Sequence, residues 1–220
     1  MKGVFQTRKP KTKYDDTWDA SKVLSYLRML HPVKELPLKD LTLKVLMLLL
    51  LATGQRGQSI QLMTLSAMKL TESVCQFQIL NHTKTSKPGH SSTSITISEV
   101  EQDLRICPLT ALKEYLDCTQ GLRNGEKCLF ISSVKPLPAV SRDTILQRAK
   151  GVLESSGIDS HKFSPHSTRA AAESRAKQKD VPLDFILAHV GWPSAKTFQK
   201  FYDKPVIPAN NIMASAILSQ

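Results

Sequence analysis

The chain has 220 residues, 41 % of them apolar, which suits one large domain or two small ones with enough apolar side chains for a core. Thirty Lys and Arg against nineteen Asp and Glu leave a net charge of +11, a surface that draws polyanions, nucleic acid foremost. Twelve Pro and nine Gly exclude collagen and low-complexity chains, and the longest apolar stretch, Val45 to Ala52, falls far short of the roughly 20 residues a membrane span needs. The first thirteen residues are basic and polar and are not expected to form a signal peptide. Cys75, Cys107, Cys118 and Cys128 are too few for a disulfide scaffold and form no C-x-x-C pair. They are read as reduced and intracellular, with no zinc site expected.

In chain order, Met1 to Tyr14 is a basic arm with no acid, either a solvated tail or a contact to a DNA backbone through Arg8, Lys9, Lys11 and Lys13. Asp15 and Asp16 are acids suited to a helix N-terminus, and Trp18, Val23, Leu24, Leu27 and Leu30 follow at helical spacing. Leu38 to Thr53 predicts a second helix, apolar around most of its circumference and therefore central, with Gly54 as its C-cap. A short helix is expected over Gln58 to Met63. Alternation over residues 74–80 and 93–97 predicts two strands joined by a long basic tip with Lys84 and Lys87. Pro108 opens another helix, and Leu129 to Ile131 is a short buried segment. Ser141 caps a helix through about Ser155, which Gly157 ends. The last quarter predicts helices over Pro165 to Gln178, Pro182 to Ala188 and Ser194 to Tyr202, then a final apolar segment, Ile212 to Leu218. The fold class expected is mainly α with one small antiparallel sheet.

Four stretches carry candidate chemistry. In ATGQRGQS, Arg56 lies on the turn just past the core helix, either a solvated surface residue or a guanidinium aimed at a phosphate. In NHTKTSKPG, a lysine on a hairpin tip can reach over a bound backbone and donate a proton. In PHSTRAAAES, His166 and Arg169 share one helix face near an N-terminus, where free N–H groups also favour an anion. In HVGWPSAKTFQKFY, Trp192, Phe198 and Phe201 read either as core or as the setting of Tyr202, a phenol among Lys196, Lys200 and Lys204. A phenol with a pKa near 10 needs such surroundings to act as a nucleophile.

Taken in order, these stretches resemble the tyrosine recombinase (phage integrase) family over roughly Trp18 to Val206, with a flavour similar to the DIRS-like and Crypton recombinases of eukaryotic mobile elements. The resemblance implies the DNA breaking-rejoining catalytic domain fold. It implies that Arg56 and Arg169 bind the non-bridging oxygens of a scissile phosphate, that Lys84 protonates the departing 5′-oxygen and that His166 serves as acid/base. It implies that Trp192 donates to a phosphate oxygen and that Tyr202 attacks phosphorus. His189 is a weaker alternative for the Trp192 role, and Tyr115 is the next tyrosine to consider. Three positions depart from the family pattern: Ser59 where Glu or Asp is frequent, Ala170 where His is frequent, and a Trp192-to-Tyr202 spacing of ten.

The reading is a DNA strand transferase working through a 3′-phosphotyrosyl intermediate without metal or other cofactor. The competing reading is a catalytically silent DNA-binding protein of the same descent. A type IB topoisomerase shares the chemistry but fits the size and motifs less well. Residues 1–14 would be an arm or linker remnant, 15–206 the catalytic domain and 207–220 a tail helix; the helical core-binding domain that usually precedes such a domain looks absent. The partner expected is double-stranded DNA, with Arg8, Lys9, Lys11, Lys13 and Lys87 as backbone contacts. Self-association into a tetramer on DNA is expected when a core-binding domain is joined, with no membrane and no small-molecule substrate. The compartment implied is the nucleus for a eukaryotic element, otherwise the cytoplasm or nucleoid.

Overall fold

The computed structural model describes residues 14–79, 93–190 and 204–206. Helix α1 spans Ala20–Met29, and its cap is Asp19 rather than Asp15 or Asp16, with the carboxylate accepting from the Ser21 N–H at 2.8 Å. The helix cannot start earlier because Thr17 is extended and bridged to Val206. Helix α2 spans Leu38–Thr53, as its apolar run predicts, and short α3 spans Gly57–Gln61. Strands β1 (Met68–Leu70), β2 (Val74–Ile79) and β3 (Thr93–Ser98) form one antiparallel sheet in that order. The pairing Cys75↔Ile97 and Phe77↔Ile95 sends those four side chains to one buried face, which fixes the register. β1 is an addition to the two strands predicted. Lys84 and Lys87, between β2 and β3, lie outside the described residues.

Helix α4 spans Pro108–Thr119 with Pro108 in its first turn, and Cys107 Sγ accepts from the Thr110 N–H at 3.4 Å. The Leu129–Phe130–Ile131 segment is buried as expected. Helix α5 spans Arg142–Ser155, capped by Ser141 Oγ, which accepts from the Thr144 N–H at 3.1 Å. A 3₁₀ turn, Pro165–Ser167, runs into α6 (Thr168–Gln178), and α7 spans Leu183–Val190. The helix expected over Pro182 to Ala188 thus reaches two residues further, to a buried valine. The segments Ser194 to Tyr202 and Ile212 to Leu218 lie outside the described residues.

Helix α2 is the hub of this mainly helical fold and packs against α4, α5, α6 and β3. Val45, Leu46, Met47 and Leu49 are fully buried on it, each stabilising the core by about 1.5–3 kcal/mol. The same helix buries Lys44, whose ammonium donates to the carbonyls of Leu27, at 2.9 Å, and Leu30. Those carbonyls belong to the end of α1, where no intrahelical donor remains. Burial lowers the Lys44 pKa to about 8, with the Asp103 carboxylate pulling the other way.

Candidate functional site

Arg56 is placed by backbone geometry. Helix α2 ends at Gly54, which adopts the left-handed conformation (φ +59°) and returns its N–H to the Leu50 carbonyl at 3.1 Å. A β-carbon at Gly54 would sit 2.4 Å from Val190 Cγ1, so both the conformation and the close approach of α7 require glycine. Two residues later Arg56 is extended and half-buried at the head of α3. Ser59, one turn on, is buried in α3.

Arg169 is placed by side chains. It lies in the first turn of α6, 5 % exposed, and its Nε–H donates to Glu173 Oε1 at 2.8 Å. Its Nη2 donates to the Val190 carbonyl at 2.9 Å. Glu173, one turn along α6 and 2 % exposed, makes this a buried ion pair. His166, on the preceding 3₁₀ turn, is exposed to solvent.

The turn that opens α6 is braced from residues 14–19. The Trp18 indole N–H donates to Ser167 Oγ at 2.8 Å, and that hydroxyl donates to the Ser164 carbonyl at 2.7 Å. The Tyr14 hydroxyl accepts from the Ser164 N–H at 3.1 Å, and the Tyr14 ring lies against Phe163. Ion pairs Asp16–Lys162 (2.7 Å) and Asp19–Arg175 (3.7 Å) flank these bonds. Both pairs are partly exposed and contribute little, which leaves the brace to the buried Trp18 bond and the Tyr14 contacts.

The two regions meet at α7. Val190 touches Gly54 with its side chain and Arg169 with its carbonyl. His189 bonds the Ala52 carbonyl at 3.0 Å through Nε2. A carbonyl only accepts, so Nε2 carries the proton, and His189 caps one of the open carbonyls at the end of α2. A groove of about 240 Å³ opens beside this contact, lined among others by Ala52, Gly54, Glu173, Phe185 and His189. Residues 204–206 return to the same body: the Lys204 N–H donates to Ser174 Oγ at 3.3 Å, and the Thr17 N–H donates to the Pro205 carbonyl at 2.9 Å.

Of the residues singled out in the sequence, Arg56, His166, Arg169 and His189 are therefore seen, and Arg56 and Arg169 sit on elements joined through Gly54, Glu173 and Val190. Trp192, Tyr202, Lys84, Lys87, Arg8, Lys9, Lys11 and Lys13 lie outside the described residues. Tyr115 is a core residue: fully buried, its hydroxyl accepts from the Ile131 N–H at 3.1 Å, and burial pushes its pKa up. Glu173, Trp18 and Ser167 escaped the sequence reading as site residues. The signal for Glu173 was its place four residues after Arg169 on one helix face.

The phage integrase family matches residues 25–205. Compared by sequence with curated proteins, the chain matches none. By fold it is similar to XerH site-specific recombinase bound to difH substrate, at 14 % identity and TM-score 0.62, over 86 % of this chain and 50 % of that one. XerA recombinase is similar at 18 % identity and TM-score 0.62, over 97 % and 68 %. A lambda integrase dimer bound to a COC′ core site is similar at 18 % identity and TM-score 0.56, over 96 % and 68 %. The chain spans half the length of the XerH protein it matches.

Proposed function

The chain belongs to the phage integrase family, and from that footing we propose that it cleaves and rejoins duplex DNA through a covalent protein–DNA intermediate. The observation that carries the reading is the convergence at Gly54, Glu173 and Val190 of two guanidinium-bearing elements far apart in sequence. Two such forks suit one phosphate, because each binds two oxygens and together they offset the charge that grows on a phosphorane-like transition state.

In this reading Tyr202 Oη attacks phosphorus and the P–O5′ bond breaks. The phenolic proton passes to His166, Lys84 gives a proton to the leaving 5′-oxygen, and Trp192 steadies a non-bridging oxygen. The phosphotyrosyl ester keeps the energy of the phosphodiester, so the free 5′-hydroxyl of a second strand can reverse the attack without a nucleotide cofactor. The net charge of +11 and the basic residues Arg8, Lys9, Lys11, Lys13 and Lys87 support DNA as the partner. XerH and lambda integrase are solved on DNA, lambda integrase also as a tetramer on a Holliday junction. We extend the proposal to assembly on DNA, to a catalytic domain over residues 15–206, and to kinship with eukaryotic mobile-element recombinases acting in the nucleus.

The test uses the duplex that the full-length protein selects from a random pool, nicked so that the cleaved fragment escapes. Wild type is expected to give a denaturation-resistant protein–DNA adduct. Tyr202→Phe, which removes one oxygen and keeps the ring, is expected to bind equally and give none. A DNA-bound wild type that forms no adduct favours the silent DNA-binding reading, and an adduct that persists in Tyr202→Phe shows another nucleophile. Neutralising about 5 to 8 phosphates predicts a log–log salt slope of roughly −5 to −7 for binding. A flat salt response defeats the phosphate-binding premise.

A further inference from the structure

We propose that Glu173 is a positioning residue, setting the plane in which the Arg169 guanidinium meets a DNA phosphate. The inference rests on the reading of Arg169 as a phosphate-gripping residue.

The geometry points this way for three reasons. First, the guanidinium is anchored on two separate elements, through Nε to Glu173 on α6 and through Nη2 to the Val190 carbonyl at the end of α7. A planar fork held at two of its nitrogens has no freedom to rotate about its last bond, so the plane of the guanidinium is set before any ligand arrives. Second, the arginine and the carboxylate are separated by one helical turn, so a rigid element rather than a loop sets their spacing. Third, Glu173 Oε1 lies 3.9 Å from the point that a β-carbon at Gly54 would occupy, against the turn that leads to Arg56. The carboxylate thus bonds the Arg169 element and lies beside the turn that leads to Arg56.

Stability alone gives no reason to keep such a pair. Burying two charges costs heavily, and apolar side chains of like volume in the same space are commonly neutral or stabilising by comparison. What an apolar pair cannot do is hold a cation at a fixed angle inside a dry site. Glu173 offsets the burial cost of Arg169 while no DNA is bound, and the arginine is then pre-set when DNA binds.

The experiment measures single-turnover adduct formation at saturating DNA on the nicked duplex, with affinity and thermal midpoint recorded alongside. Glu173→Gln keeps the shape and an acceptor oxygen but removes the charge. It is expected to slow adduct formation roughly tenfold to a hundredfold, the cost of a misplaced group, with affinity changed by less than about threefold. In an Arg169→Ala background the same change is expected to cost nothing further. Added guanidinium ion gives the sharper readout: it should partly restore Arg169→Ala and fail to restore Arg169→Ala with Glu173→Gln, because the carboxylate that would hold it is gone. Equal rescue of both overturns the proposal even if Glu173→Gln alone is too unstable to assay. So does a Glu173→Gln rate at or above wild type, which would mean that the carboxylate is idle or holds Arg169 back. If wild type forms no adduct, the strand-transfer reading fails, and Glu173 is judged by binding instead. A methylphosphonate walked along the duplex should weaken wild-type binding at several linkages, and Glu173→Gln should lessen the penalty at one of them while leaving the others unchanged. Penalties that Glu173→Gln leaves unchanged at every linkage, or no penalty at any linkage, overturn the proposal.

Discussion

The turn that carries Arg56 and the box that carries Arg169 reach the same place by different means. Arg56 is held by its own chain: a helix stops at a left-handed glycine and the backbone delivers the side chain two residues later. Arg169 is held from outside, by Glu173 one turn away, by a carbonyl on α7 and by an indole from residue 18 acting through Ser167. The contrast shows two ways of placing a cation-bearing residue. Local backbone geometry needs only a residue of the right conformational freedom, and it tolerates no side chain there. Long-range bracing spreads the task over several bonds, about 1 kcal/mol for the neutral indole bond and more for the buried ion pair, whose loss leaves a charge without its partner.

The largest effect is expected at the turn. Gly54→Ala forces alanine into the left-handed region and drives its methyl to 2.4 Å from Val190 Cγ1. Strain and overpacking together predict a loss of about 2–5 kcal/mol, read as a fall in the urea midpoint. A loss below about 1 kcal/mol would mean that α7 can move away from the turn.

Lys44 links the two regions, since α2 carries the turn and α1 follows the brace. The folded chain holds the Lys44 proton only below about pH 8, whereas the usual lysine value is 10.5. Between those values the unfolded chain binds the proton that the folded chain releases, so this group makes stability rise with pH by up to about 3 kcal/mol across the window. Urea titrations at pH 8 and 10 should show that this rise is missing in Lys44→Met. An identical pH response in both proteins would show that the buried amine keeps its proton.

Trp18→Phe keeps the apolar bulk and removes the N–H that reaches Ser167. We expect a loss of about 1 kcal/mol, with the hydroxyl retained on the Ser164 carbonyl. Hydrogen exchange should quicken at the first amides of α6 and remain unchanged at Gly54. Quickening at both sites would mean that the turn also leans on the brace. Smallest is His189→Ala, which uncaps one exposed carbonyl of α2 and should cost about 0.5 kcal/mol in the same urea assay. A cost several times larger would place His189 among the fixtures of the turn.

Legibility in the sequence follows the same division. Elements defined by neighbours in the chain were readable: α2 from its apolar run and terminal glycine, α5 from Ser141, α4 from Pro108, and the two longer strands from their alternation. β1 was not, because three residues with partly exposed side chains show no alternation. The start of α1 lies further along than the acids Asp15 and Asp16 suggest, because the Thr17–Val206 bridge keeps the chain extended there. At the site, Arg56 and the His166–Arg169 spacing were visible as motifs, whereas Trp18 and Glu173 owe their importance to partners that spacing alone does not name. Trp18 stands at the helical spacing of Val23 and Leu27, yet it lies buried just ahead of the helix rather than within it.

The bridge between Thr17 and Val206 has a consequence for how the molecule can be cut and rejoined. It closes the described body into a ring, with the stretch before α1 and the stretch after α7 stitched side by side. A short linker across that seam, with new ends opened in the exposed loop near Val134 and Lys135, should leave every brace around Arg169 in place. Conversely, strain applied ahead of Thr17 is delivered to residue 206 and to Ser167 at once, so a pull on the basic arm would be felt at both edges of α6 before it reached the core.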